Sequence, residues 1–235
     1  RNVFEEKDAF VKTPDKTEDY RGRWWGGEGR FVDFTKPSGR EAWKELLKKN
    51  LMAKGMRTVW NDNCEYDGVE DRNAYCDHEG MGGTMAELKI IQSNMMAYTG
   101  KEALKEVYPK ARPYIINRAG YAGIQRYAQV WAGDNLTDWK TVKFNIATLI
   151  GMGLSGMSNA GCDIGGFAGR RRKASCCSAG SRMGFSSRVS VSIQQTMTIQ
   201  LPSHGCMKKS AVCAGGICAA LSDDAVSVFR NAGIA

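Results

Sequence analysis

No apolar run in the 235 residues reaches the ~18 that a membrane-crossing helix needs, so no transmembrane span and no membrane partner are expected. No GxGxxG or GxxxxGK pattern stands between a strand and a helix, which weighs against a dinucleotide-binding or phosphate-loop fold. No spaced cysteine pair of the CxxC kind joins the short run Cys76-Asp77-His78, so neither a metal nor a cofactor is expected. No signal peptide opens the chain, and its first residue is Arg1 rather than Met, which reads as a fragment.

Acidic residues and large aromatics are scarce in one part only. Residues 170–235 hold nine of the 33 Lys+Arg but only Asp223 and Asp224 of the 25 Asp+Glu. The remaining 24 bases and 23 acids lie in residues 1–169 and nearly cancel. All six Trp and all eight Tyr precede Gly169, while eleven of the fifteen Ser and five of the eight Cys follow it. The formal charge of +8 therefore belongs to a tail, and the body gives no reason to expect nucleic acid. Two readings of the tail compete: a basic arm, or sequence never selected to fold.

The 235 residues are long enough for one barrel or sandwich, or for two small domains. Arg21–Phe34 is rich in glycine and aromatics and reads as a loop followed by a short strand. Thr35-Lys36-Pro37-Ser38 is turn chemistry, with Ser38 placed to cap a helix Arg40–Lys54 that stops at Gly55. Met56–Trp60 is a strand running into Asn61-Asp62-Asn63. Thr84–Tyr98 has helical period, with Met85, Leu88, Ile91, Met95 and Met96 on a core-facing side. Lys101–Val107 is a further helical stretch before Pro109. Pro113–Ile116 and Tyr127–Trp131 read as strands ending at Asn117-Arg118 and Gly133-Asp134-Asn135. The helix Asp138–Met152 should turn Trp139, Val142, Ile146, Leu149 and Ile150 inward, and a last strand, Met157–Cys162, ends at Asp163.

This order of strand, polar end and helix argues for parallel βαβ units and an α/β fold. An open sheet and a (β/α)8 barrel both fit, and in each the chemistry sits at the C-terminal strand ends. Asp62, Asp134 and Asp163 stand there. Cleaving a glycosidic bond needs two carboxyl groups, one attacking as a carboxylate and one holding a proton, with mutual repulsion separating their pKa values. A sugar site also uses tryptophan faces, and Arg or Asp for the hydroxyls. Trp60, Arg126, Trp131 and Asp163 are of the right type beside the right strand ends.

The segments VWNDNCEYDG (59–68), INRAGYAGIQRYAQVWAGDN (116–135) and GLSGMSNAGCDIGGFAG (153–169) closely resemble glycoside hydrolase family 31. The stretch FVDFTKPSGREAW (31–43) fits the strand and turn before that family's nucleophile strand. The resemblance runs from about Trp24 to Gly169. It implies part of a (β/α)8 TIM barrel that cleaves α-linked glucosides with retention, without a cofactor. Asp62 falls at the nucleophile position and Asp134 at the acid/base position. Trp60, Arg126, Trp131 and Asp163 fall on positions lining the subsite for the cleaved sugar. The substrate implied is an α-glucoside or oligosaccharide, with α-xylosidase and α-glucosyltransferase activity as alternatives within the family. The EYD-containing nucleophile motif looks most like bacterial members, which implies a cytoplasmic location. Cys64 stands where the family usually has Asn, and Ala119 where Ser is common. Cys64 is thus expected to disturb the hydrogen bonds that orient Asp62.

Past Gly169 the chain resembles nothing in the family. Read one base out of register, synonymous codons permit a string that resembles the family's next segment. Met has a single codon, and at Met183/Gly184, Met197/Thr198 and Met207/Lys208 the shifted codons give Gly, Asp and Glu without choice. All three fit. Residues 1–169 therefore read as a partial catalytic barrel and 170–235 as an out-of-frame, poorly structured tail. The contrasting class is a non-enzymatic binder of nucleic acid through that tail.

Overall fold

The computed structural model describes residues 3–24, 27–163 and 166–168. The expectations for the tail lie outside the described residues. Two compact units divide between Gln129 and Val130.

The first unit opens with one helical turn, α1 (Val3–Glu6), and a hairpin of β1 (Arg21–Trp24) and β2 (Gly27–Arg30), paired antiparallel with Arg21 opposite Arg30. The hairpin replaces the expected loop. None of its residues is fully buried, so no apolar alternation marked it in the sequence. Helix α2 (Pro37–Asn50) starts three residues before the expected Arg40. Proline supplies the first turn, where its fixed φ suits the helix and its missing N–H costs nothing. Lys36 is the N-cap, and Ser38 sits inside the helix, its buried Oγ making no hydrogen bond among the described residues. The helix also ends earlier than expected. A 3-10 turn, Met52–Lys54, follows it, and Gly55 closes that turn at φ 88°, where a side chain would be strained.

Asp33 organises the turn before α2. It is 1% exposed, and its Oδ1 accepts from Thr35 N (2.9 Å), Thr35 Oγ1 (2.6 Å) and Gln92 Nε2 (3.0 Å). Its Oδ2 accepts from Asp77 N at 2.7 Å. Gln92 Oε1 in turn accepts from Phe34 N at 2.7 Å. A buried carboxylate with this many donors is tolerated because each lone pair lost to water is replaced.

Strand β3 (Thr58–Asn61) is followed by a short antiparallel pair, β4 (Tyr75–Cys76) and β5 (Gly83–Thr84), and then by α3 (Met85–Val107). α3 is one helix rather than two. Thr84 and Glu87 form a capping box at its start, with Thr84 N donating to Glu87 Oε2 at 2.9 Å. Gly100 does not break it. A Cβ there would lie 3.4 Å from Ile115 and 3.7 Å from Val59, so the glycine lets the helix lie close on the sheet. Met85, Leu88 and Met96 are buried with Phe34, Cys64, Tyr66 and Cys76, and Ile91 and Met95 pack against them. β6 (Tyr114–Asn117) pairs parallel with β3, completing a strand–helix–strand unit.

The division falls within β7 (Gln129–Trp131), which pairs parallel with β8 (Ala160–Gly161), Val130 opposite Ala160 and Trp131 opposite Gly161. α4 (Trp139–Leu154) lies between them in sequence, and its N-cap Asp138 accepts from Thr141 N at 2.6 Å. The expected inward face is not buried. Trp139, Ile146 and Ile150 are 54%, 45% and 59% exposed, and of the whole helix only Asn145 is buried. The periodicity marks an apolar face but not a neighbour to cover it. Among the described residues no helix is long and apolar enough to cross a membrane.

Candidate active site

Parallel register sets the surroundings of Asp62. Asn61 stands opposite Asn117 at the C-terminal ends of β3 and β6. Side chains alternate along a strand, so Val59 and Asn61 are buried while Trp60, 44% exposed, and Asp62 face the other way. The next residue of each strand is charged, Asp62 on one and Arg118 on the other. They meet: Arg118 Nη1 lies 3.1 Å from Asp62 Oδ1. The same guanidinium reaches Glu65, Nε to Oε1 2.8 Å, and Asp62 Oδ1 also accepts from Asn63 N at 2.9 Å.

The turn after β3 is tight. Asn63 and Tyr66 take left-handed backbone at φ 51° and 62°, and the Tyr66 hydroxyl donates to Val32 O. Between them Cys64 is completely buried, and its Sγ accepts from Ala119 N at 3.3 Å. No hydrogen bond joins it to Asp62 among the described residues. Its hydrogen bonds go instead to the backbone of Ala119 and Asn61. Burial pushes the Cys64 thiol up to about 11, so it stays neutral. Loss of water also raises the Glu65 carboxyl above its ordinary value, against the pull of Arg118.

Arg126 ends a 3-10 turn, Ile124–Arg126, and is exposed. Its guanidinium lies 5.5 Å from the Tyr127 ring. The arginine paired with Asp62 is Arg118, readable as the residue after a strand-ending asparagine that matches Asn61-Asp62. The cluster Cys76-Asp77-His78 is likewise accounted for structurally. Cys76 is buried with its thiol pushed up to about 12, mainly by burial, and Asp77 Oδ2 accepts from Gly80 N at 2.8 Å. Among the described residues no group of three or more His, Cys, Asp and Glu comes together as a metal cage.

In the second unit Trp131 (2% exposed) and Asp163 (3%) are buried at the ends of β7 and β8, and Asp134 is exposed. Gly133 turns the chain at φ 81° just before Asp134. The next residue, Asn135, is strapped down: its carbonyl accepts from Phe167 N (2.7 Å) and Ala168 N (3.1 Å), and Ala168 O accepts from Thr137 N (2.8 Å). Gly166 allows this approach, since a Cβ there would lie 2.7 Å from the Thr137 backbone. Cys162, beside Asp163, has its thiol pushed up to about 11 by burial and then by the Asp163 charge.

Parallel strands with carboxylates just beyond their C-terminal ends define the α/β enzyme class in which those ends carry the chemistry. Residues 2–187 match the family model described as Glycosyl hydrolases family 31 TIM-barrel domain, and the chain belongs to that family. The α/β architecture is accordingly part of a (β/α)8 barrel.

The chain is 34% identical over 156 residues to alpha-glucosidase 2 of Bacillus thermoamyloliquefaciens, covering 63% of this chain and 19% of that protein. It is 33% identical over 169 residues to neutral alpha-glucosidase C of Homo sapiens, covering 68% and 18%. It thus spans under a fifth of the length of these curated relatives. A solved family 31 alpha-glucosidase from Bacteroides thetaiotaomicron superposes with a TM-score of 0.64 at 27% identity, covering 88% of this chain and 34% of that one. A Flavobacterium johnsoniae dextranase solved with glucose shares the fold, with a TM-score of 0.73 at 24% identity over 88% of this chain and 27% of that one.

Proposed function

We propose that this chain carries part of the catalytic barrel of a retaining glycosidase acting on α-linked glucosides. The observation that carries the reading is Asp62, exposed beyond β3 and held through Oδ1 by Arg118 and a backbone N–H. In this reading Asp62 attacks the anomeric carbon and forms a glycosyl-enzyme. Asp134 protonates the departing glycosidic oxygen, then takes a proton from the water that releases the sugar. The exposed Trp60 offers an apolar face to the ring, and the resemblance assigns Arg126, Trp131 and Asp163 to sugar binding as well. The alpha-glucosidases among the relatives favour glucose as the sugar cleaved.

Hydrolysis of an aryl α-glucoside and of maltose tests this in a protein that carries this segment within a complete barrel. Asp62→Ala should abolish turnover of both. Asp134→Ala should hurt maltose most, because an aryl leaving group needs little protonation. Equal losses on both substrates would sink the role given to Asp134, and an initial β product from an α-glucoside would sink retention. For residues 170–235 we keep the out-of-frame reading, whose support is the three fixed Met codons. The family match, which runs to residue 187, overlaps its start. Genomic sequence across codons 165–175 decides it.

A further inference from the structure

Arg118 is held against Asp62, and the residues on either side of it in the chain are each pinned by a buried side chain. Asn117 is fully buried. Its Oδ1 accepts from Asn61 Nδ2 at 2.7 Å, and its Nδ2 donates to Ser93 O of α3 at 2.9 Å and to Ala119 O at 3.3 Å. On the other side, Ala119 N donates to Cys64 Sγ at 3.3 Å, and the Cys64 thiol is placed to donate to Asn61 O at 3.5 Å. Arg118 N itself donates to Asn61 O at 3.0 Å. A continuous chain of buried hydrogen bonds therefore runs from β3 through β6 to α3 and back to the turn after Asp62.

We propose that Asn61, Asn117 and Cys64 are positioning residues that fix the direction of Arg118 and, through it, the attacking oxygen of Asp62. This rests on the reading of Asp62 as nucleophile. The physical reason is conformational. An arginine has four soft side-chain torsions, and it stays on one carboxylate oxygen only if the backbone from which it springs is fixed. Two strand ends can shear or splay beyond their last ladder bond. The Asn61–Asn117 amide pair prevents this inside the sheet, and the thiol fixes the turn outside it. Every member is partnered, which is the condition under which a buried polar chain specifies one geometry. The thiol, pushed up to about 11, remains a neutral partner throughout the ordinary pH range.

The test uses the full chain labelled with nitrogen-15, reading the Arg118 Nε–H signal and its exchange with water. Asn117→Leu removes both side-chain donors and the acceptor. Cys64→Ala removes the contact to Ala119 N, and Cys64→Ser restores an acceptor there. Exchange at Arg118 Nε–H should quicken about tenfold in Asn117→Leu and Cys64→Ala, as expected for losing one buried hydrogen bond, and return toward wild type in Cys64→Ser. Unchanged exchange in Cys64→Ala, or equal acceleration in Cys64→Ala and Cys64→Ser, would overturn the proposal. A purely structural role would lower the thermal midpoint and quicken the backbone amides of α3 in step with Arg118. Should Asn117→Leu fail to fold, the two Cys64 variants decide alone. In an active protein carrying the segment, Cys64→Ala should lower kcat on an aryl α-glucoside and leave KM nearly unchanged. Retained turnover in Asp62→Ala of that protein would count against the nucleophile reading, while the Arg118 signal would still judge the positioning.

Discussion

Helix α3 buries eleven of its residues, whereas α4 buries only Asn145. Both helices follow a strand and precede a parallel one, and both show apolar residues at helical spacing. The difference lies in their surroundings. α3 packs against β3, β6 and α2, with Gly100 allowing close approach to the sheet. Three of its four buried polar residues reach a loop or a strand: Gln92 to Asp33 and Phe34, Ser93 through its carbonyl to Asn117, and Asn94 to the backbone of Tyr121 and Ala122, while Thr99 donates to Met95 O within the helix. α4 packs on β8, with Asn145 bonded to Cys162, while Phe144, Ile150 and Leu154 are 65%, 59% and 86% exposed. An amphipathic pattern thus states a demand for a partner. The fold of this segment meets that demand in the first unit and not for α4 among the described residues.

The sharpest way to break this contrast is Asp33→Ala. It strands the donors of Thr35, Gln92 and Asp77 inside the protein, and should cost about 3–5 kcal/mol, the scale for breaking a buried charged cluster. A urea titration that left the first unit at wild-type stability would show that this network does not hold it. Next is a matched pair of truncations. Leu104→Ala on α3, where Leu104 is 2% exposed, should cost about 2–5 kcal/mol. Ile150→Ala on α4 should stay within about 0.5 kcal/mol. Similar losses in the two, by chemical denaturation, would mean that α4 is covered in solution.

Gly166→Ala tests the strap within the second unit. At φ 81° and 2.7 Å from Thr137 it should cost about 1–3 kcal/mol, read as faster amide exchange at Phe167 and Ala168 with α3 unaffected.

A further effect, modest for each group, is alkaline. Cys64, Cys76 and Cys162 are buried with thiols raised to about 11, 12 and 11. The unfolded chain releases these protons near pH 9, so between pH 9 and those values the folded state binds more protons. Stability therefore falls as pH rises through that window, by about 1 kcal/mol per thiol at pH 10. Alkylation followed by mass spectrometry at pH 10 should modify Cys162 before Cys64 and Cys76 if the second unit opens more readily.

Much of this was legible in the sequence because strand ends advertise themselves. Asn61-Asp62 and Asn117-Arg118 each close an apolar run, and Gly133-Asp134-Asn135 closes another. The strands, α3 and α4 follow from periods of two and 3.6. The hairpin at 21–30 was not legible, because exposed strands carry no alternation. Ser38 looked like a cap because serine commonly is one, but Pro37 just before it had already set the first turn. Arg118 was not singled out because nothing in the sequence says which residue lies across from Asp62, and only the pairing of β3 with β6 shows it. Asp33 was missed since a lone aspartate in a turn gives no hint of the glutamine 59 residues later that completes its shell.

The β3–β6 pairing also bears on the order in which the chain folds. Asn61 and Asn117 are 56 residues apart, and the chain must bring them together before their ladder returns anything. α3, by contrast, begins with the local Thr84–Glu87 box and can form turn by turn without waiting for a distant partner. Pulse-labelled exchange during refolding should therefore find the α3 amides protected before the Arg118 amide, which is bonded to Asn61 O. The carboxylate at the end of β3 would acquire its guanidinium neighbour only in that last step, so a chain halted earlier could hold nearly all its helix and still lack the pair at its reactive end.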